Sequence, residues 1–194
     1  GMAASINTAC IELCQLKTLS SVSVMANMPY SDQVVELLPL EHVSLGLHST
    51  FTEGAPLLPV DEVSSLIDDT GNFYKYPEMM RRAKAKKLSS DEIYQELKAQ
   101  YARLKERIGD RLSFVDSHHS IHNKLAPFRD AFIRFGREVD SHAIRTRQMY
   151  YLDIVGTGAK LVCPDLCSLP RFGLRKVLAN YFYRNTASKF KGSY

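Results

Sequence analysis

Three of the chain's six histidines and one aspartate fall within nine residues, Phe114-Val115-Asp116-Ser117-His118-His119-Ser120-Ile121-His122. A further histidine stands at Gly46-Leu47-His48. Neutral imidazole is a common ligand for divalent metals and the side chain best matched to proton transfer near neutral pH, so this density points to metal or acid–base chemistry. In a strand, alternate residues share a face, which groups Phe114, Asp116 and His118. If the chain turns helical after the strand, His118 and His122 also stack, being four apart. Either geometry brings Asp116 and His118 together, with His122 beside them in the second. The plain alternative is a solvated loop that is rich in histidine.

The elements that must carry these residues follow a strand–helix–strand rhythm. Residues 3–17 have apolar Ile6, Cys10, Leu13, Cys14 and Leu16 near helical spacing. Ser20–Asn27, with Val22 and Val24 alternating with small polar residues, reads as a strand. Pro29–Leu38 gives a short helix with Pro29 in its first turn. His42–His48 is the next strand. The long segment from Thr50 to Asp110 opens as a loop carrying Pro56, Pro59 and a turn at residues 69–72. Phe73, Tyr74 and Tyr76 in it are either stacking surfaces for sugar rings or anchors of the loop on the domain. From Ser90 a helix is plain: Ser89 and Glu92 have capping-box spacing, and Ile93, Leu97, Tyr101, Leu104 and Ile108 mark one face. Phe128, Phe132 and Phe135 line a later helix that ends near Gly136. Short connections between such elements predict an α/β fold with parallel strands, which place ligands at the strands' carboxyl ends. His48 and His118 each end a predicted strand, so both reach one face although 70 residues separate them.

Size and charge bound the remaining possibilities. The 194 residues suit a single domain over 2–194, with Gly1 set aside as a residue left by tag removal, and 45% hydrophobic against 24% charged residues is ordinary for a soluble protein. No apolar run reaches membrane-spanning length and no charged-then-apolar leader is present, so a cytoplasmic, membrane-free protein is expected. The net charge of +4 belongs to residues 171–194, which hold six basic and no acidic residues, leaving 19 basic against 21 acidic residues elsewhere. Val177, Leu178, Tyr181 and Phe182 in that tail read as the apolar face of a helix, so nucleic acid is not an expected partner. Val155-Gly-Thr-Gly158 reads as a turn, not a phosphate loop. The spacings Cys10-x3-Cys14 and Cys163-x3-Cys167 invite a zinc reading, but buried thiols serving as small hydrophobes explain the first pair more simply.

Four segments in order carry a resemblance to a known family. They are the strand end Gly46-Leu-His48, Thr52-Glu-Gly-Ala-Pro-Leu57, Ser65-Leu-Ile-Asp-Asp-Thr-Gly-Asn-Phe73, and Asp116-Ser-His-His-Ser-Ile-His122. Together they resemble the YdjC-like carbohydrate deacetylases, which include the chitooligosaccharide deacetylases. The resemblance implies an incomplete or distorted parallel (β/α) barrel of the glycoside hydrolase and deacetylase type. It also implies removal of N-acetyl groups from N-acetylglucosamine-containing oligosaccharides, with a divalent metal, magnesium or zinc, held by two histidines and an aspartate. His48 and His118 match the two histidine ligands, and His122 and Asp116 are the catalytic candidates, His122 matching a further motif position open to a ligand, an acid or a substrate contact and Asp116 orienting an adjacent imidazole. Arg145, in a segment resembling the family's next strand, is expected to face the substrate together with Phe73 and Tyr74.

Departures accompany these matches. The family's opening Asn-Ala-Asp-Asp-Phe-Gly strand end and its later His-Pro-Gly segment have no counterpart in the sequence, and Phe114 and Ser120 stand where histidines are common. Lacking the family's aspartates, the chain alone is expected to turn over little, and a degenerate carbohydrate-binding or interaction module is the competing reading. An open strand edge beside Val22–Met25 further predicts a homo-oligomer.

Overall fold

The fold is built around strand β2, Ser44–Ser49, whose Leu45, Gly46 and Leu47 are all buried. A strand lined by apolar residues on both faces belongs inside a parallel sheet, and β2 pairs in parallel with β1, Ser21–Val24, on one side and β3, Leu112–Ser117, on the other. The computed structural model describes residues 2–139, 144, 151–155 and 158–162. Contacts divide the chain into two compact units, residues 1–145 and 146–194.

In the first unit, helix α1 (Ala4–Gln15) precedes β1. Helices α2 (Tyr76–Lys84) and α3 (Ser90–Ile108) lie between β2 and β3 in sequence, and α4 (Ile121–Lys124) and α5 (Ala126–Glu138) follow β3. The parallel α/β architecture is as expected. Among the described residues the sheet has the order β1-β2-β3, extended beyond β3 by a parallel bridge between Val115 and Ile144. Closure into a barrel is not seen among them. In the second unit β4 (Tyr151–Val155) and β5 (Gly158–Val162) pair antiparallel, with Val155 opposite Gly158.

The core lies where α3 and α5 meet the sheet. Leu45, Leu47 and Val115 from the strands, Ile93, Leu97 and Leu104 from α3, and Phe128, Phe132 and Phe135 from α5 are all essentially inaccessible. Each such side chain contributes about 1.5–3 kcal/mol by leaving water. Tyr101 of α3 meets Phe135 edge-on at 5.2 Å. No helix among the described residues is long and apolar enough to cross a membrane.

Three local expectations are corrected. In α1 the buried residues are Ile11 and Cys14, while Ile6, Leu13 and Leu16 are exposed. On the same face Asn7 donates to the Tyr30 carbonyl (2.9 Å) and to Gln33 Oε1 (2.7 Å), so the inward side of the helix is 7-11-14. The segment after Pro29 is a 3-10 helix over Ser31–Leu37, with Pro29 outside it. At the start of α3, Ser89 Oγ accepts from the Glu92 backbone N–H, but the Glu92 carboxylate reaches away to Ser65 N–H instead of closing the box. Cys10 and Cys14 are free thiols; Cys163, Cys167 and the basic tail lie outside the described residues.

Candidate metal centre

Parallel register brings the two distant motifs together. In the β2–β3 ladder His48 stands opposite Asp116 and Ser49 opposite Ser117. His48 Nδ1 lies 2.5 Å from Asp116 Oδ1, and Asp116 is 5% exposed. A carboxylate only accepts, so Nδ1 carries a proton, and in the neutral ring the lone pair is on His48 Nε2. That nitrogen faces His118 Nδ1 at 3.3 Å, the two rings meeting edge to face. Ser23 Oγ of β1 lies 3.4 Å from His48 Nδ1, and Ser49 Oγ donates to the Asp116 carbonyl at 2.9 Å. All three strands therefore deliver a side chain to one carboxyl-terminal edge.

Beyond β3 the backbone turns sharply. His119 (φ 58°) and Ser120 (φ 51°) are both left-handed, a conformation that costs a non-glycine residue energy and concentrates at functional sites. The turn folds the His119 ring back onto His118, with centroids 4.0 Å apart, and against Tyr76 at 4.4 Å. Lys124 Nζ donates to Tyr76 Oη at 3.0 Å. From the loop after β2, Glu53 approaches: one of its carboxylate oxygens and ring nitrogens of His118 and His119 lie within 4.8 Å of one another. Lys75 Nζ donates to Glu53 Oε2 at 2.5 Å. Burial, reinforced by the neighbouring His119 and His48, lowers the pKa of His118 to about 4. Burial and then Lys124 lower that of His119. Both rings are thus biased toward the neutral form that binds metals.

The remaining expected residues sit elsewhere. His122 is 1% exposed, stacked on Phe132 at 4.6 Å, with its Nδ1 2.5 Å from Ser117 Oγ and its Nε2 2.9 Å from the Asn123 side-chain amide. It braces the turn from inside, buried where His48 and His118 are half-buried and His119 is exposed. The left-handed pair at 119–120 breaks the helix that stacking on His118 would need. Phe73, 1% exposed and edge-on to Phe51 at 5.8 Å, is an anchor and offers a sugar no face. Tyr74 is half-buried, its ring covered by the Arg82 guanidinium at 4.2 Å, and it lines a separate open hollow with Val60, Asp61 and Asp68. Arg145 lies outside the described residues.

The family model described as YdjC-like protein matches residues 1–194. The chain belongs to the YdjC-like family. A carbohydrate deacetylase of Thermoanaerobacter pseudethanolicus is 29% identical over 168 residues, 84% of this YdjC-like chain and 63% of that protein. A chitooligosaccharide deacetylase of Serratia marcescens is 33% identical over 135 residues, 68% of the chain and 51% of that protein. The chain thus spans about half to two thirds of the length of these relatives. A crystal structure from Enterococcus faecalis, described as a cellobiose-phosphate cleavage protein, superposes with a TM-score of 0.65 at 24% identity. It covers 76% of this chain and 56% of that one, and shows the shared fold.

The residues present fit a divalent metal. Two imidazole nitrogens 3.3 Å apart have the spacing of neighbouring ligands on one ion with metal–nitrogen bonds of about 2.0–2.1 Å. The carboxylate behind His48 is the outer partner that ligating histidines commonly have. Glu53 and His119 were not identifiable as site residues in the sequence of this YdjC-like chain. Their only signals were membership of the Thr-Glu-Gly and His-His motifs.

Proposed function

We propose that this YdjC-like chain is a metal-dependent carbohydrate deacetylase that removes the acetyl group from N-acetylglucosamine-containing oligosaccharides. The observation that carries the reading is the His48–His118 pair with Asp116 behind it; the naming of the matched relatives as carbohydrate and chitooligosaccharide deacetylases supports it. In this reading His48 Nε2 and His118 Nδ1 hold the ion. Asp116 fixes the His48 tautomer and opposes rotation of the ring, and the 48↔116 register makes that contact independent of loop position. When bound, a divalent ion polarises the amide carbonyl and acidifies a water. The amide C–N bond breaks, the acyl carbon takes the water's hydroxyl, and the nitrogen leaves as an amine with the water's proton. A donor set rich in imidazole suits zinc better than magnesium, which prefers oxygen ligands.

The test is acetate release from N,N′-diacetylchitobiose by the zinc-loaded chain. Against the low turnover expected of a chain lacking the family's aspartates, this reading predicts measurable release from the wild type, falling at least about 100-fold in His48→Ala, since loss of a ligand exceeds the loss of an outer partner. A zinc-loaded wild type that releases no acetate, or a His48→Ala variant as active as the parent, contradicts the reading.

A further inference from the structure

We propose that Glu53 and His119 join His118 as ligands of the divalent cation, so that the centre has a carboxylate and a third imidazole supplied by this chain itself. The inference rests on the reading of His48 and His118 as a metal centre, although His48 is not itself part of the Glu53–His118–His119 grouping. Neither Glu53 nor His119 belongs to the ligand set that the family resemblance implies.

Two segments distant in sequence, the turn after β3 and the loop after β2, converge to make the grouping. His118 follows the end of β3. Glu53 sits in the loop after β2, and its backbone is fixed: Asn27 Nδ2 donates to the Glu53 carbonyl at 3.1 Å, and Gly54, at φ 72°, lets the chain turn away directly afterwards. His119 is exposed, yet its ring is not free to wander, being held between His118 and Tyr76 with Lys124 fastened to the Tyr76 hydroxyl. An exposed imidazole gains little by lying in a left-handed turn against a second imidazole. A shared ligand lying between His118, His119 and the Glu53 carboxylate accounts for that arrangement. Lys75 does not stand in the way. It occupies only Oε2, its side chain is 70% exposed, and a solvent-exposed ion pair of this kind is readily exchanged.

Zinc titration of the full chain, with cobalt(II) absorption as a spectroscopic probe of the ligand set, tests the proposal. Glu53→Gln and His119→Ala are each expected to weaken zinc binding about tenfold or more and to change the cobalt spectrum, while thermal unfolding of the metal-free variants stays that of the wild type. If both variants bind zinc as the wild type does, with an unchanged cobalt spectrum, the proposal is overturned. His48→Ala separates this from the reading beneath it. Loss of binding in His48→Ala with retention in the other two overturns the proposal and leaves the His48–His118 centre standing. Retention in His48→Ala with loss in the other two supports the proposal and removes His48 from the centre. A wild type that takes up neither metal overturns both.

Discussion

His118 is enclosed by burial and by two other imidazoles, and these outweigh the opposing pull of Glu53 and Asp116, lowering its pKa from 6.5 to about 4. The sign of the linkage follows. Between about pH 4 and 6.5 the unfolded chain binds a proton at this position that the folded chain refuses. The stability His118 contributes is therefore full above pH 6.5 and is lost as the pH falls toward 4. An NMR titration of the His118 ring in the metal-free chain is expected to show a midpoint near 4; a midpoint near 6.5 would refute the burial argument. His48 and His118 were legible in sequence because both end predicted parallel strands. His119 was not, since strand alternation sends it to the opposite face and only the left-handed turn returns it. The same turn explains why spacing misplaced His122: an i,i+4 pair is a neighbour only in an unbroken helix.

At the level of elements, the site depends on how closely β2 and β3 approach and on what restrains the loop after β2. Gly46 stands opposite Phe114, and a Cβ there would come within 2.3 Å of the Phe114 ring. Gly46→Ala is thus expected to destabilise the fold by about 1–3 kcal/mol through overpacking, read as a lower midpoint in denaturant unfolding. An unchanged midpoint would show that the ring has room to move. The loop is restrained from α3 by polar residues spaced four apart. Glu92 accepts from Ser65 N–H, Glu96 from Leu57 and Leu58 N–H, and Gln100 both accepts from and donates to the Thr50 backbone. Glu96 and Gln100 are wholly buried, although neither belongs to the apolar stripe of α3. Periodicity located the helix and most of its core residues. It could not reveal that a loop distant in sequence would cover the polar side, because a carboxylate clasping backbone N–H groups and one facing water have the same pattern.

Across the whole molecule, the parallel α/β order was legible because apolar strand runs alternate with an amphipathic helix, whereas barrel closure rested on resemblance alone and is not seen among the described residues. The outward face of α1, with Ile6 60% and Leu16 74% exposed, departs from amphipathic expectation, and the inward face carries a polar contact from Asn7 to the Tyr30 carbonyl. What unites strands, loop and turn is delivery of His48 and His118 to one point. The most direct measurement is zinc titration of the full chain followed through the imidazole ¹⁵N resonances. His48 Nε2 and His118 Nδ1 are predicted to move together to metal-bound positions at one equivalent of zinc, while both nitrogens of the buried His122 stay where they are. Zinc uptake that leaves the His48 and His118 nitrogens unmoved would contradict the shared centre.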